Sequence, residues 1–400
     1  MLKQSLSLQF LGTGSGRSTI ARATQSIVLS IRNGYKIGEW MFDCGDMTTH
    51  QMNVLQRVEK KQAMEKNTKP VILRPSRVSR IFITHMHGDH ILGLPTFLLE
   101  AGISRNQGKA GVYAPIDVYG PPGLSYYLKT IFQLTDAKQN HPCIVHEMYE
   151  SENDPRLSQF STTENTLQYS DKRIQMTPLF PEKDGFWSLV ESPLGTVRAS
   201  SIHHTIECFG YIFRSSPPSF MINDDEVKKR LSAHQEEMTQ FSLSSDDVLR
   251  RLHRRQLVKF PSGFVLDPND ASLSNVPNLP VKTVGILGDT DNACNAFPLL
   301  QNCDVLVHEA TTIPLARELQ NRTIEEAEEA TKRTGHSTAT MAGRFAKKVG
   351  AKKLVLTHIS PRYPATRPDH PDMKEMKNLA IGAFGSEEVV IANDLMRMDV

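Results

Sequence analysis

A dense group of metal-binding side chains occurs in one short run of the sequence. Four ligand-type residues fall within six positions: His85, His87, Asp89 and His90. Imidazole nitrogens and carboxylate oxygens suit Zn²⁺ or Mn²⁺, and the absence of cysteine from the run argues against a closed structural zinc site. The run follows Arg80–Thr84, a short apolar stretch typical of a buried strand. The pattern predicts a metal site at the end of that strand.

Three further ligand-type residues follow short apolar segments later in the chain: His204, Asp289 and His358. We expect His204 to complete one metal site with His85 and His87. His358 would complete a second site with Asp89 and His90, and Asp289 would bridge the two. Two metal ions about 3.5–4 Å apart suit hydrolysis at phosphorus, because one ion polarises the phosphoryl oxygen while a shared hydroxide attacks. Asp89 is also a candidate for orienting or deprotonating the attacking water.

A leaving alkoxide needs a proton, and His336 is the candidate donor. It precedes a predicted helix over 338–349, for which Ser337 or Thr338 is the expected N-cap. Glu309 is the candidate partner that would hold His336 as an imidazolium.

The composition excludes several classes of protein. The 400 residues include 46 Lys and Arg against 44 Asp and Glu, a net charge of +2, so an anionic partner must be bound by a local patch. No apolar run approaches the ~20 residues of a membrane helix, and no membrane partner is expected. Five cysteines without a CxxC pair favour a reducing compartment, which we take to be the cytoplasm, with nucleus and organelles left open.

Periodicity supplies the elements that would position these residues. Strands are expected at Ser5–Leu11, and at Ser26–Ile31 and Trp40–Phe42 as a hairpin turning at Asn33-Gly34. Helices are expected at Gln51–Glu65 and Ile91–Leu99. Residues 150–175 are interpreted as a polar surface insertion, and 220–260 as an inserted arm that carries two charged helical segments.

With these residues in view, the chain resembles the ribonuclease Z family, short form, of the metallo-β-lactamase superfamily. The HxHxDH run indicates only the superfamily, whereas the His308–Thr311, Gly335–Thr338 and Leu356–Tyr363 blocks are narrower. The resemblance spans about residues 5–398 and lies in ordered blocks: Phe10–Gly16, Phe42–Asp46, Phe82–Pro95, Val118–Gly123, His204–Tyr211, Gly288–Thr290, Asp304–Thr311, Gly335–Thr338 and Leu356–Tyr363.

The resemblance implies a fold and a reaction. The fold would be a single α/β domain over 1–400, a four-layer αββα sandwich with an inserted tRNA-binding arm. The reaction would be zinc-dependent endonucleolytic removal of the 3′ trailer from precursor tRNA by metal-hydroxide attack, leaving a 3′-hydroxyl on the tRNA and a 5′-phosphate on the trailer. Two Zn²⁺ ions per subunit are implied, with Mn²⁺ or another divalent metal as the alternative, and the protein would be a homodimer.

The family roles transfer to individual positions. The metal ligands would be as assigned above, and the family spacing before Gly210-Tyr211 selects His204 over His203. His336, supported by Glu309, would donate the proton. Candidate tRNA contacts are the arginines of the arm and one near the metal site: Arg250, Arg251, Arg254, Arg255 and Arg362. The family arm has a Gly/Pro-rich tip, but this chain has Phe241–Asp246 there.

Two other functions fit parts of the pattern. A hydrolase of cyclic nucleotides or other small esters on the same fold would keep the seven ligands without needing the arm. A non-enzymatic tRNA-binding module would not need those ligands, and all seven are present.

Overall fold

The computed structural model describes residues 5–33, 36–68, 70, 72–106, 114–137, 141–163, 174–217, 222–273, 280–314, 323–363 and 370–400. In chain order its strands are β1 Ser5–Gly12, β2 Ser26–Asn33, β3 Lys36–Phe42, β4 Val78–Phe82, β5 Ile116–Gly120, β6 Cys143–Met148, β7 Ile174–Leu179, β8 Trp187–Ser192, β9 Gly195–Ile202, β10 Cys208–Ser215, β11 Val258–Lys259, β12 Val265–Leu266, β13 Thr283–Leu287, β14 Val305–Glu309, β15 Leu354–Thr357, β16 Val389–Ile391 and β17 Arg397–Asp399. Its helices are α1 Thr48–Glu65, α2 Gly88–Ile91, α3 Leu94–Asn106, α4 Leu124–Leu134, α5 Pro155–Thr163, α6 Asp224–Leu231, α7 Gln235–Gln240, α8 Ser245–His253, α9 Phe297–Leu300, α10 Ile324–Lys332, α11 Ala339–Val349 and α12 Pro371–Phe384.

Two large sheets form the centre of the molecule. The first has eight strands in the order β17-β1-β2-β3-β4-β5-β6-β7, and the second has seven in the order β16-β15-β14-β13-β10-β9-β8. Strands β13, β14 and β15 are parallel, and their apolar residues are almost completely buried, as expected for a sheet covered on both faces. The carboxyl ends of these strands therefore meet at one edge of the sheet.

The core is divided by the sheets into layers. Aromatic side chains of both sheets meet between them, where Trp40 and Phe82 of the first sheet pack with Tyr211 and Phe213 of the second. Helices α1, α3 and α4 cover the outer face of the first sheet, and α11 and α12 cover the second. The predicted four-layer αββα sandwich is confirmed.

Local sequence explains how α11 begins and ends. Thr338, one of the two expected N-caps, accepts a hydrogen bond from the backbone N–H of Met341. The helix stops at Gly350, whose φ of 68° is the left-handed conformation that glycine adopts most readily. Its buried stripe of small and apolar residues packs on the second sheet, so the chain just before it, which includes His336, is held near the strand ends.

The expected helix over Ile91–Leu99 was wrong in its extent. The chain forms a single turn, α2, that carries Asp89 and His90, and then restarts as α3 at Leu94. Between them, the N–H of Gly93 donates to the carbonyl of Cys44 at 3.0 Å. A Cβ at Gly93 would lie 2.0 Å from the Gly45 carbonyl oxygen, so this break depends on close backbone contact.

The segment predicted as a polar insertion over 150–175 contains helix α5, and its described residues up to 159 are largely exposed. The last two residues of the predicted insertion, 174 and 175, belong instead to the first sheet, because β7 begins at Ile174 and pairs with β6. Residues 164–173 of the prediction lie outside the described part of the chain.

The segment after β10 folds around an apolar cluster of its own. Its helices α6, α7 and α8 and the β11–β12 hairpin bury residues from Ile222 to Leu273, beyond the expected limit of 260, and three helices stand where two were predicted. The N–H of Asn223 donates to the carbonyl of Leu273 at 2.8 Å, which joins the two ends of the segment. We call residues 222–273 the arm.

Among the helices of the described residues, none has both the length and the hydrophobicity that a membrane span requires.

Candidate metal and catalytic site

The predicted metal ligands lie at one edge of the sandwich. His85 and His87 follow β4, His204 follows β9, Asp289 follows β13 and His358 follows β15, while Asp89 and His90 lie on α2. Five of the seven residues thus reach the site from loops that follow strands of both sheets, and the other two reach it from α2. The rule that polar residues collect at the carboxyl ends of parallel strands accounts for Asp289 and His358.

The first group contains His85, His87, His204 and Asp289, whose ligand atoms all lie within 4.8 Å of one another. Nδ1 of His87 is 3.1 Å from Nε2 of His85 and 3.2 Å from Nε2 of His204. Oδ2 of Asp289 is 3.6 Å from Nε2 of His85.

The second group contains Asp89, His90 and His358. Nε2 of His358 is 3.1 Å from Oδ2 of Asp89 and 3.3 Å from Nε2 of His90. Oδ2 of Asp289 is 3.5 Å from His90 and 3.3 Å from His358, so one carboxylate oxygen faces both groups. Asp289 therefore lies between the two groups, with the same oxygen within 3.6 Å of His85 and of His90.

The outward-facing nitrogens of four of these rings have protein partners. Nδ1 of His204 donates to the Gly335 carbonyl at 2.7 Å, and Nδ1 of His90 donates to Oδ2 of Asp43 at 2.7 Å. Nδ1 of His85 is 3.0 Å from the Thr84 hydroxyl, and Nδ1 of His358 is 2.9 Å from the Thr311 hydroxyl. With a proton on each outward nitrogen, the inward nitrogens carry lone pairs that converge, which is the arrangement a metal ion requires.

The electrostatics of the cluster also suit cations. Burial opposes charge on Asp289, but His358, His90 and His85 hold the pKa of its carboxyl well below the usual range. Burial and the neighbouring His90 lower the pKa of His85, which favours the neutral ligand form. His90 differs, because Asp289 and Asp43 raise its pKa against the effect of burial. The carboxylates therefore attract positive charge, and the donor set fits divalent metal ions of the zinc type.

His336 and Glu309 lie together beside this cluster. Nδ1 of His336 donates to Oε1 of Glu309 at 3.1 Å and is 3.8 Å from Oδ2 of Asp289. Burial disfavours the imidazolium, but the hydrogen bond with Glu309 raises the pKa of His336 to about 9. Its side chain is 21% exposed, so it can carry a proton and still contact a substrate.

Several residues that support the site were missed by sequence reasoning. Asp43 and Thr84 orient His90 and His85, Gly335 orients His204, and the N–H of Gly16 donates to Oδ2 of Asp89 at 2.6 Å. Asp43 had a usable signal, because it directly follows a strand. Gly16 and Gly335 act through backbone atoms, which residue type does not reveal.

Four of the five candidate RNA-binding arginines lie on or just after α8 of the arm, and the fifth, Arg362, follows β15. Arg250 is ion-paired with Asp247 on the same helix of the arm, whereas Arg251 and Arg254 are exposed there. Arg255 lies in the turn after α8 with a φ of 57°. Arg362 follows His358 by four residues, and its guanidinium lies 5.1 Å from the ring centre of Tyr363.

Comparison with known proteins supports the same family. The chain is 30% identical over 360 residues to a ribonuclease BN of Proteus mirabilis, with 90% of each chain covered. It is 30% identical over 361 residues to a ribonuclease Z of Limosilactobacillus reuteri, covering 90% of this chain and 89% of the relative. It is 29% identical over 402 residues to the mouse zinc phosphodiesterase ELAC protein 1, with 98% of each covered.

Solved structures agree in fold. The human short-form tRNase Z (ELAC1) matches with a TM-score of 0.55 at 22% identity over 98% of both chains. The metallo-β-lactamase-fold protein YhfI of Bacillus subtilis matches with a TM-score of 0.52 at 15% identity, covering 99% of this chain and all of that one. A family model described as anti-Pycsar protein Apyc1 matches residues 6–121. Taken with the strand-end ligand cluster, the full-length relatives show that the chain belongs to the ribonuclease Z family of metallo-β-lactamase-fold proteins.

Proposed function

We propose that the protein is a zinc-dependent endoribonuclease that removes the 3′ trailer of precursor tRNA. The observation that carries the proposal is the pair of ligand groups sharing Asp289, with the His336–Glu309 pair beside them. The relatives named ribonuclease Z and zinc phosphodiesterase support both the substrate class and the metal. We assign one zinc ion to His85, His87 and His204 and a second to Asp89, His90 and His358.

The residues have separate roles in this reaction. Divalent metal ions at such a site polarise the phosphoryl oxygen and make water nucleophilic at neutral pH. Asp89, which contacts the N–H of Gly16 and Nε2 of His358, would orient the attacking water. His336 donates a proton to the leaving 3′ oxygen, and Glu309 stabilises its charged form before that transfer. Because water bonds to phosphorus while the bond from phosphorus to the 3′ oxygen breaks, the products are a 3′-hydroxyl and a 5′-phosphate.

Recognition of the tRNA body is assigned to the arm. Arg251 and Arg254 present cationic side chains at the end of α8, where phosphates of the RNA backbone would bind. We further propose a homodimer in which one subunit's arm contacts tRNA bound at the partner's active site. The five cysteines are all unpaired, which supports a reducing compartment such as the cytoplasm.

A hydrolase of small phosphodiesters is the second candidate. It is favoured by Phe241–Asp246, which here forms the connection after α7 and the first two residues of α8 instead of a Gly/Pro-rich tip. In this connection Ser244 caps α8 through a reciprocal pair of hydrogen bonds with Asp247.

Cleavage of end-labelled precursor tRNA, beside bis(p-nitrophenyl) phosphate as a small substrate, tests the proposal. We expect a cut after the discriminator base, with His336→Ala slowing it about 10²- to 10⁴-fold. Asp289→Ala should also lose zinc, whereas His336→Ala should retain it. Diester hydrolysis by the wild type without any cut in tRNA would contradict the proposal and support the second candidate.

Replacing 224–272 with a Gly-Ser linker separates recognition from chemistry, because Asn223 and Leu273 already lie in contact. We expect this variant to lose tRNA cleavage and keep diester hydrolysis. Equal loss on both substrates would contradict a separate role for the arm.

A further inference from the structure

Thr311 connects two parts of the site that are described separately above. Its hydroxyl oxygen lies 2.9 Å from Nδ1 of His358, a ligand of the second group, and donates a hydrogen bond to Oε2 of Glu309. The other oxygen of the same carboxylate accepts from His336 at 3.1 Å and from the N–H of Thr290 at 2.7 Å. Thr311 is 7% exposed and Glu309 is 1% exposed, so water does not replace these contacts freely.

The direction of each hydrogen bond follows from the groups involved. The Thr311 hydroxyl has two possible acceptors, Oε2 of Glu309 and the backbone carbonyl of His358 at 3.1 Å. Its single proton points to Oε2, because that contact is the shorter one and a carboxylate is the stronger acceptor. The hydroxyl oxygen must then accept from His358, which places the ring proton on Nδ1. This leaves a lone pair on Nε2, the atom that faces Asp89 and Asp289.

We propose that Thr311 is a positioning residue through which the Glu309 carboxylate, besides holding the proton donor His336, also orients the metal ligand His358. One buried carboxylate then supports both the acid and the second metal site. The inference rests on the metal sites of the proposed function. It has a specific consequence: although Glu309 belongs to neither ligand group, changing it should weaken metal binding through Thr311.

Zinc binding to the metal-free protein, measured by competition with a chromophoric chelator and without RNA, tests this inference. Thr311→Val keeps the shape and removes the hydroxyl, whereas Thr311→Ser keeps the hydroxyl. Thr312→Val is the matched control, because the Thr312 hydroxyl pairs with Thr331 at 2.9 Å instead of with the site. We expect Thr311→Val to weaken one of the two zinc sites about 10- to 100-fold. Thr311→Ser and Thr312→Val should stay within about twofold of wild type.

Glu309→Gln completes a double-mutant cycle. We expect it to weaken the same zinc site, and the double variant with Thr311→Val to bind no more weakly than the worse single variant, because both changes break one chain of hydrogen bonds. Wild-type zinc affinity in Thr311→Val, or equal losses in Thr311→Val and Thr311→Ser, would overturn the inference.

Circular dichroism and the melting temperature of each metal-free variant separate misfolding from loss of a ligand. If Thr311→Val does not fold, Thr311→Ala takes its place in the same cycle. A wild-type protein that binds no zinc would overturn the metal sites themselves and this inference with them. Two intact zinc sites without tRNA cleavage would overturn the proposed substrate and leave the role of Thr311 supported.

Discussion

The carbonyl oxygen of Gly335 accepts a hydrogen bond from Nδ1 of His204 at 2.7 Å, across 131 residues of sequence. Gly335 has a φ of 75°, and a Cβ at this position would lie 2.6 Å from that same nitrogen. A turn that only glycine fits therefore sets the orientation of a metal ligand.

We expect Gly335→Ala to weaken zinc binding at the first site by at least about tenfold, because the added methyl group displaces the His204 ring from its orienting partner. Gly350→Ala is the matched control. Gly350 has a similar φ of 68°, and its Cβ would meet Asn302, not a metal ligand. Both variants should lose about 1–2 kcal/mol of stability from backbone strain, and only the first should lose zinc in a chelator competition. Equal zinc affinities would contradict this role for Gly335.

The arm arginines should contribute unequally to tRNA binding. Arg251 and Arg254 are exposed and three residues apart, so they share one side of the helix end. Arg250 is already paired with Asp247. We expect Arg251→Ala/Arg254→Ala to raise KM for precursor tRNA about tenfold and to reduce the slope of log Kd against log salt by about 1.5–2.

Arg250→Ala serves as the comparison and should have a smaller effect on both quantities. Hydrolysis of bis(p-nitrophenyl) phosphate should be unchanged in all variants. The assignment would be wrong if the salt dependence of tRNA binding were the same in the double variant and the wild type.

Helix α5 contacts the loop that carries His204. Nη1 of Arg156 is 2.7 Å from Oε2 of Glu207, and its Nη2 is 2.7 Å from Oδ2 of Asp154. Burial raises the pKa of Glu207 although Arg156 opposes the effect, so loss of Arg156 leaves a poorly solvated carboxylate three residues from a metal ligand.

We expect Arg156→Ala to lower kcat/KM several-fold for tRNA and for the small diester alike. It should lower the free energy of unfolding by only about 1 kcal/mol, since the ion pair is partly exposed. Arg198→Ala is the control, because Arg198 is about as exposed as Arg156 but pairs with Asp184, which lies between β7 and β8 and not in a loop that carries a metal ligand. Steady-state kinetics of the two variants on both substrates would show whether kcat/KM falls only in Arg156→Ala. A loss confined to tRNA would instead indicate direct RNA contact by Arg156.

Glu39 predicts a pH dependence of stability remote from the active site. Burial raises the pKa of its carboxyl from 4.5 to about 6, although Arg77, Arg32 and Arg397 act in the opposite direction. The folded state therefore binds this proton more tightly than the unfolded state. The resulting destabilisation is absent below pH 4.5, grows as the pH rises through 6, and is complete above it, at about 2 kcal/mol.

Glu39→Gln should consequently be more stable than wild type by about 2 kcal/mol at pH 8, and equally stable at pH 4.5. Urea unfolding at the two pH values measures the difference, with the exposed Glu191→Gln as control. If the gain in stability of Glu39→Gln over wild type were the same at both pH values, packing and not ionisation would be responsible for it.

The ligands were predictable because their chemistry is visible in residue type and their placement follows from strand ends. Asp289 and His358 follow the apolar strands β13 and β15, and the parallel arrangement of β13 to β15 brings these strand ends to one edge. His85 follows the apolar strand β4 of the other sheet. The supporting contacts were not predictable in this way. Thr311 and His358 are 47 residues apart, and a threonine has no particular tendency to orient a metal ligand until the fold supplies its neighbours.

The break between α2 and α3 has the same origin. Local periodicity favours one continuous helix, but contact of Gly93 with the Cys44-Gly45 backbone interrupts it. The pairing of Arg250 with Asp247, in contrast, joins residues three apart on one helix and was accessible from the sequence.

The hydrogen bond between Asn223 and Leu273 has an evolutionary consequence. Because the arm leaves and re-enters the sandwich at neighbouring points, it can be lengthened, shortened or exchanged by recombination without redirecting β10 or β13. The range of RNAs accepted and the hydrolytic machinery can then diverge in separate genetic steps, each passing through a folded intermediate.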